Sequence, residues 1–326
     1  MEHAVEAIKK YKRFLVTAHV NLEGDSLGSQ LAMKELLEAL GKKAVIVDSD
    51  PVPGHYKFLP RADEVSNNID KKLIFDAVIV LDCPTLRRIG RVRELLKKNK
   101  PIINIDHHIS NERFGGVNWV HPNASSAGEM VYRLFKNMNV PITKEVALYL
   151  YIAILTDTGS FNYDNTSSIT HEIAGELLGY GLDPALVSER VYEQRSVADL
   201  KLLGLVLSTL KLSDDGGAAY LVITRKMLKD TGVDVSRSEG FINYARSIEG
   251  VKIAALFKED PKDRKRISIS FRSKGDVDVN SLASCFGGGG HIKASGCTME
   301  GSLSGVKNKV LSKIKEVLHG RNISFK

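Results

Sequence analysis

The stretch Phe14-Leu15-Val16-Thr17-Ala18-His19-Val20-Asn21-Leu22-Glu23-Gly24-Asp25-Ser26-Leu27-Gly28-Ser29 decides the fold. Phe14 to Ala18 reads as a strand. Ser26 to Leu40 carries Leu27, Leu31, Leu36, Leu37 and Leu40 on the helical period and is stopped by Gly41. A second strand, Ala44 to Asp48, completes a strand, helix, strand crossover of the usual right hand. Further strands at Ala77 to Asp82 and Ile102 to Ile105 continue the alternation expected of a parallel sheet with helices on both faces.

Beyond the fourth strand the chain turns helical. Ser126 to Met138 opens with Ser126 and Glu129 in capping-box spacing, and Lys144 to Leu155 ends near Asp157. Glu189 to Leu210, polar and then leucine-rich, reads as a helical connector. A second unit follows, with a strand at Ala218 to Thr224 and a hairpin of Lys252 to Lys258 and Arg266 to Arg272 around a turn-rich segment. Ile267, Ile269 and Phe271 alternate with Ser268, Ser270 and Arg272, which gathers the three polar side chains on one face. The predicted class is therefore α/β in two domains. Residues 1–188 form a parallel sheet with flanking helices, 189–212 the connector, and 213–326 a smaller α/β domain with a mixed sheet.

A chain of 326 residues suits two domains with proper cores. With 43% hydrophobic and 26% charged residues it fits neither a disordered tail nor a fibrous repeat. The longest unbroken apolar run, Val146 to Leu155, has ten residues, against about 20 for a membrane span. No membrane association is expected. Met1 to Arg13 is charged and lacks the features of a secretory signal, and Cys83, Cys285 and Cys297 are few and unpaired in pattern, which suits a reducing compartment. A cytoplasmic location is the expectation. The net charge of +7 is a mild bias towards anionic partners.

Chemistry gathers at predicted strand ends, where ligands collect in open α/β sheets. His19, Glu23 and Asp25 follow the first strand; helix capping by Asp25 or Ser26 is the plainer alternative to metal binding there. Asp82 ends a very apolar strand, a costly place for an acid unless it is paired, bound to metal or turned to solvent. Asp106, His107 and His108 follow the fourth strand and offer a metal ligand, a carboxylate to orient it, and a proton or phosphate donor. Asp157 closes the longest apolar segment. Together His19, Glu23, Asp25, Asp82, His107 and Asp157 make an oxygen and imidazole set without cysteine, suited to manganese or magnesium ahead of zinc or iron, and numerous enough for two ions. The run Gly287, Gly288, Gly289, Gly290, His291 reads either as a phosphate cradle of consecutive N–H groups or as a flexible loop. It is no Walker loop, and no dinucleotide fingerprint follows the first strand.

In this order the motifs resemble the DHH phosphoesterases that carry a C-terminal DHHA1 domain, and among them the short nanoRNase and pAp phosphatase type. The matching segments are His19 to Ser29, Leu81 to Pro84, Asp106 to His108, Leu155 to Phe161, and Asp278 to Gly296. The resemblance implies one manganese ion on His19, Glu23 and Asp82 and a second on Asp25, Asp82, His107 and Asp157, with Asp82 bridging. It also implies that Asp106 orients the histidine ligand and that His108 lies close to the scissile phosphate. Arg272, Gly288, Gly289, Gly290 and His291 match the part that grips the substrate's terminal phosphate or base. Glu23 departs from the family's usual aspartate, and its extra methylene moves the carboxylate by roughly 1.5 Å.

The implied activity is metal-dependent hydrolysis of short oligoribonucleotides, linear dinucleotides such as pApA, or 3′-phosphoadenosine 5′-phosphate. Short RNA or a mono- or dinucleotide is the expected partner, not long duplex nucleic acid, and a homodimer is the expected assembly. The alternatives are a cyclic di-AMP phosphodiesterase, a pyrophosphate or polyphosphate hydrolase on the same core, and a non-catalytic nucleotide sensor. The GGGGH segment argues against a pyrophosphatase.

Overall fold

The computed structural model describes residues 1–96, 100–238 and 240–320 and divides the chain into two units, Met1–Gln194 and Arg195–Lys326. The end of the predicted second domain, 321–326, lies outside the described residues. The first unit runs α1 (Glu2–Lys10), β1 (Arg13–Thr17), α2 (Gly24–Ala39), β2 (Lys43–Val47), β3 (Val65–Ser66), β4 (Ala77–Leu81), β5 (Ile102–Asp106) and β6 (Val117–Val120). Helices α3 (Ala127–Asn137), α4 (Lys144–Asp157), α5 (Ser168–Leu178) and α6 (Pro184–Tyr192) complete it.

The six strands pair in parallel in the order β3-β2-β1-β4-β5-β6. Strand order therefore reverses between β1 and β4, where a crevice opens beyond the carboxyl ends. β4 is buried along its whole length, as an apolar run covered on both faces must be. One face of the sheet packs under α1 to α4 through Phe14, Val16, Ile79 and Ile105. The other face differs from the expectation of helices on both sides. Leu15, Val78 and Val80 are covered by Ile89, Val92 and Leu95 of a 3-10 stretch, Leu86–Leu95, which Gly90 at φ 59° interrupts.

Helices α2 and α4 cross at near contact because α2 carries glycine where they meet. A Cβ added at Gly28 would lie 2.4 Å from the Tyr149 carbonyl oxygen, and one at Gly24 would lie 2.5 Å from Thr156 Oγ1. Gly128 of α3 is equally tight on Ala153. This packing brings Asp25 of α2 and Asp157 of α4 together. Gly28→Ala is expected to cost about 1–3 kcal/mol by overpacking, read as a lower thermal midpoint in calorimetry; an unchanged midpoint would show that the helices do not depend on this approach.

The second unit runs α7 (Val197–Leu207), β7 (Lys211–Leu212), β8 (Ala218–Ile223), α8 (Arg225–Thr231), α9 (Phe241–Arg246), β9 (Ile253–Glu259) and β10 (Arg266–Ser273). It ends with α10 (Val279–Ser284), β11 (Gly289–Gly290), β12 (Ala294–Glu300) and α11 (Leu303–Leu318). Its sheet is mixed, in the order β11-β12-β10-β9-β8-β7, with β8 and β9 parallel and the other pairs antiparallel. Along β9, Ala254 and Leu256 pack with α7 to α9, while Ile253, Ala255 and Phe257 pack with α10 and α11. The expected hairpin is β9 with β10, and Ser268, Ser270 and Arg272 share its half-buried polar face. The stretch read as one helical connector is two helices: α6 packs in the core of the first unit and α7 in a core of the second.

Candidate metal centre

Three strand ends and two helix ends supply the site. His19 follows β1, Asp82 follows β4, and Asp106 ends β5 with His107 and His108 behind it. Asp25 sits in the first turn of α2 and Asp157 at the last residue of α4. His19, Asp25, Asp82, Asp106, His107 and His108 are all buried. Asp82 holds φ at 49°, a left-handed turn that re-aims its carboxylate as the strand ends.

Two imidazoles point the same nitrogen inward. His19 Nδ1 lies 2.6 Å from the Val20 carbonyl oxygen and His107 Nδ1 lies 3.2 Å from that of Ala124. A carbonyl only accepts, so each Nδ1 carries a hydrogen, and Nε2 is the nitrogen that can offer a lone pair to a cation once the ring is neutral. His107 Nε2 then faces Asp157 Oδ2 at 3.4 Å, Asp25 Oδ2 at 3.6 Å and Asp82 Oδ1 at 3.6 Å. The other oxygen of Asp82, Oδ2, lies 3.2 Å from His19 Nε2. Donors held at about 2.0–2.2 Å from one cation stand about 3.0–3.6 Å from each other. These side chains therefore fit a divalent cation, and Asp82 offers one oxygen to each imidazole.

The electrostatics say the same. Burial, then the charges of Asp82 and Asp157, push Asp25 well above the usual carboxylate range. Burial and Asp82 bring Asp157 up to about 6 against the pull of His107. Burial opposes charge on Asp82 too, but His19 and His107 hold it well below the ordinary value. Burial also works against charge on His107, yet Asp157, Asp82 and Asp25 raise it well above the imidazole range. So many buried carboxylates around one imidazole are costly until positive charge is added. Protons compete with a cation for Asp157 and His107, so affinity rises with pH. Manganese titrations between pH 5 and 7 are expected to tighten by about 10-fold per pH unit or more; a flat profile would remove these two residues from the ligand set.

Asp25 is no helix cap. Its two oxygens accept the Ala127 and Gly128 N–H groups at 2.7 and 2.8 Å, fixing it to the start of α3. The cap of α2 is Glu23, whose N–H donates to Ser26 Oγ at 2.8 Å. The Glu23 side chain is exposed and stands outside the close-set donors Asp25, His107 and Asp157, although its charge favours protonation of His19 and Asp157. The capping box at α3 is incomplete: Ser126 Oγ accepts from Glu129 N–H, but the Glu129 carboxylate turns to Ser125.

Asp106 differs from its expected role. Its Oδ1 accepts from His108 Nδ1 at 2.7 Å and from the His107 main-chain N–H at 2.9 Å, so it orients the ring of His108 while the Ala124 carbonyl orients that of His107. Neighbouring residues on an extended chain point apart, and Asp106 reaches only one ring. Burial opposes its charge, but His108 lowers its pKa. Asn111 Nδ2 braces Asp106 Oδ2 at 2.5 Å, and Asn165 Nδ2 bonds the Ser125 and Asp157 carbonyls at 2.7 and 3.1 Å. Asp48 holds the end of β1 through Thr17 Oγ1 and the Ala18 N–H, and burial brings it up to about 6. Of these three, only Asp48 carried a sequence signal, as the acid that ends a predicted strand.

In the second unit the glycine run is neither a loop nor a nest of free N–H groups. Gly289 and Gly290 pair with Gly296 and Ser295 of β12. The N–H groups of Gly287, Gly288 and His291 go to the carbonyls of Ser284, Ala283 and Ala294, and that of Gly290 to Asn280 Oδ1. Glycine is required by close approach: a Cβ at Gly288 would lie 2.1 Å from the Gly296 carbonyl oxygen. Arg272, on the polar face of β10, donates from Nη1 to the Phe271 carbonyl and buries Nε without a partner among the described residues.

Residues 13–154 match the model of the DHH family N-terminal domain and residues 215–320 that of the DHHA1 domain. The chain is 34% identical to the bifunctional oligoribonuclease and PAP phosphatase NrnA of Thermus thermophilus, over 93% of this chain and 89% of that one. It is 29% identical to the protein of the same name from Bacillus subtilis, over 90% and 92%. A crystal structure of an exopolyphosphatase-related protein from Bacteroides fragilis superposes with a TM-score of 0.86 at 28% identity, covering 98% of this chain and 96% of that one.

Proposed function

The chain belongs to the DHH family, and on that premise we propose that it hydrolyses short phosphorylated ribonucleotides: oligoribonucleotides of a few units, linear dinucleotides such as pApA, and 3′-phosphoadenosine 5′-phosphate. The observation that carries this reading is Asp82, with one oxygen turned to His107 and the other to His19. In the proposal it bridges two sites, His19, Glu23 and Asp82 forming one and Asp25, Asp82, His107 and Asp157 the other. Two divalent cations, manganese ahead of magnesium, would supply charge neutralisation at the phosphate and a lowered pKa for an attacking water.

The chain's own residues do the rest. Asp106 fixes the tautomer and plane of His108, whose Nε2 would exchange a proton with the leaving oxygen. Asp25, bound to the start of α3, and Asp157, braced by Asn165, hold their carboxylates in place. Within the second unit, Arg272, Gly288, Gly289, Gly290 and His291 would hold a terminal phosphate or base, by side chains and close backbone approach and not by the glycine N–H groups that the strand pairing uses. We further propose a cytoplasmic homodimer that excludes long duplexes, with sedimentation as the check on the assembly.

The test is a side-by-side assay with manganese of pApA, 3′-phosphoadenosine 5′-phosphate, cyclic di-AMP, pyrophosphate and polyphosphate. Turnover of the first two ahead of the rest is expected. Preferred turnover of polyphosphate would favour the second reading, which the Bacteroides fragilis protein's description supports; binding without turnover of any would leave a sensor.

A further inference from the structure

Arg88 lies in the 3-10 stretch that follows Asp82. Its carbonyl oxygen accepts the Val20 N–H at 2.7 Å, which ties it to the loop that carries His19. The stretch is pressed against that loop: a Cβ added at Gly90 would lie 2.7 Å from Val20 Cγ1 and 2.5 Å from Ser49 Oγ. The side chain is half-buried, within electrostatic reach of His19, which follows β1, and of Cys83, the residue after Asp82.

Arg13, Arg61 and Arg133 of the same unit each have a carboxylate partner, and Arg87, Arg91, Arg113 and Arg190, which have none among the described residues, are exposed where Arg88 is half-buried. Arg88 has no ion pair or side-chain hydrogen bond among the described residues. A permanent, uncompensated cation beside an imidazole that faces a cation site weakens that site, and makes sense if an anion arrives to meet both charges. The planar guanidinium matches two oxygens of a phosphate. We propose that Arg88 binds the non-bridging oxygens of the phosphate under attack and stabilises the charge that develops there. This rests on the phosphoesterase reading of the site.

The test compares wild type with Arg88→Met, which keeps the apolar stem, Arg88→Lys and Arg88→Ala, all as manganese-loaded full chains. Three quantities are read: pApA turnover, inhibition by inorganic phosphate, and manganese affinity. For Arg88→Met, kcat/KM is expected to fall by about 10²–10³-fold, as when one preorganised donor is lost from a transition state. Phosphate inhibition should weaken by about 10-fold or more while manganese affinity holds or tightens. Added guanidinium should partly restore Arg88→Ala. Unchanged turnover and phosphate inhibition in Arg88→Met would overturn the proposal, and so would a parallel loss of manganese affinity in Arg88→Met and Arg88→Lys, which would make Arg88 a scaffold residue. A wild type that turns over no phosphoester would defeat the functional reading instead, and phosphate binding to the manganese-loaded chain, weakened by Arg88→Met or not, would then decide Arg88 by itself.

Discussion

Asp82→Asn should lower turnover by about 10³-fold or more and remove manganese binding at both sites, because one carboxylate serves two clusters and an amide cannot bring its charge to either. Asp82 Oδ1 faces the His107 group and Oδ2 faces His19, so no neighbour can replace it at one site without abandoning the other. The asparagine variant is the informative one. Asp82 holds a left-handed backbone conformation at φ 49°, which asparagine adopts readily and alanine does not. The fold is thus expected to survive, as thermal unfolding of the metal-free protein would show. Turnover within 10-fold of wild type, a threshold of roughly 1.4 kcal/mol, would remove Asp82 from the centre of the mechanism.

His108→Ala should separate chemistry from metal binding. His108 Nδ1 is engaged by Asp106 Oδ1 at 2.7 Å, and the ring is buried beside Asp82 Oδ1 at 3.6 Å. Its loss is expected to lower kcat by about 10²–10⁴-fold, the range of a lost general acid or base, with manganese stoichiometry unchanged. Asp106→Asn should cost less, since the amide oxygen can keep the His107 N–H and His108 bonds made by Oδ1 while only the Asn111 bond to Oδ2 is lost. Isothermal titration alongside steady-state kinetics measures both. A His108→Ala enzyme with normal kcat, or one that loses its metal as fast as its activity, would contradict the division of labour between His107 and His108.

Much of this site can be read in the sequence because parallel strands put their carboxyl ends on one edge. Four strand predictions, each within a residue or two of the observed ends, placed His19, Asp82 and the Asp106 to His108 run along that edge before any contact was known. What could not be read was set by packing at a distance. The bond from Asp25 to the start of α3 spans about a hundred residues, and no local pattern announces that α3 meets α2 and α4 where Gly128 lies against Asp25 and Ala153. Asp106 was assigned the wrong ring because the alternation of side chains through Asp106, His107 and His108 is a matter of backbone angles at the strand end. Asn111 and Asn165 sit in loops, where their neighbours come from other segments.

The glycine run shows the limit from the other side. Composition allowed an anion nest or a linker, and the structure makes it a paired edge whose glycines admit the β12 backbone. Register across strands decided that, and β12 itself, Ala294–Glu300, had no alternation strong enough to announce it. The two-helix division around Gln194 was hidden for a similar reason: leucines at 202 and 203 mark a helix, while only the core they enter tells which unit owns it.

The most direct measurement is anomalous scattering at the manganese edge from crystals soaked in that ion. Two peaks about 3.5–4 Å apart are expected, bridged by the two oxygens of Asp82, with His107, Asp25 and Asp157 around one and His19 beside the other. Scattering away from these residues, or Asp25, Asp82 and Asp157 turned outward from an empty centre, would contradict the account.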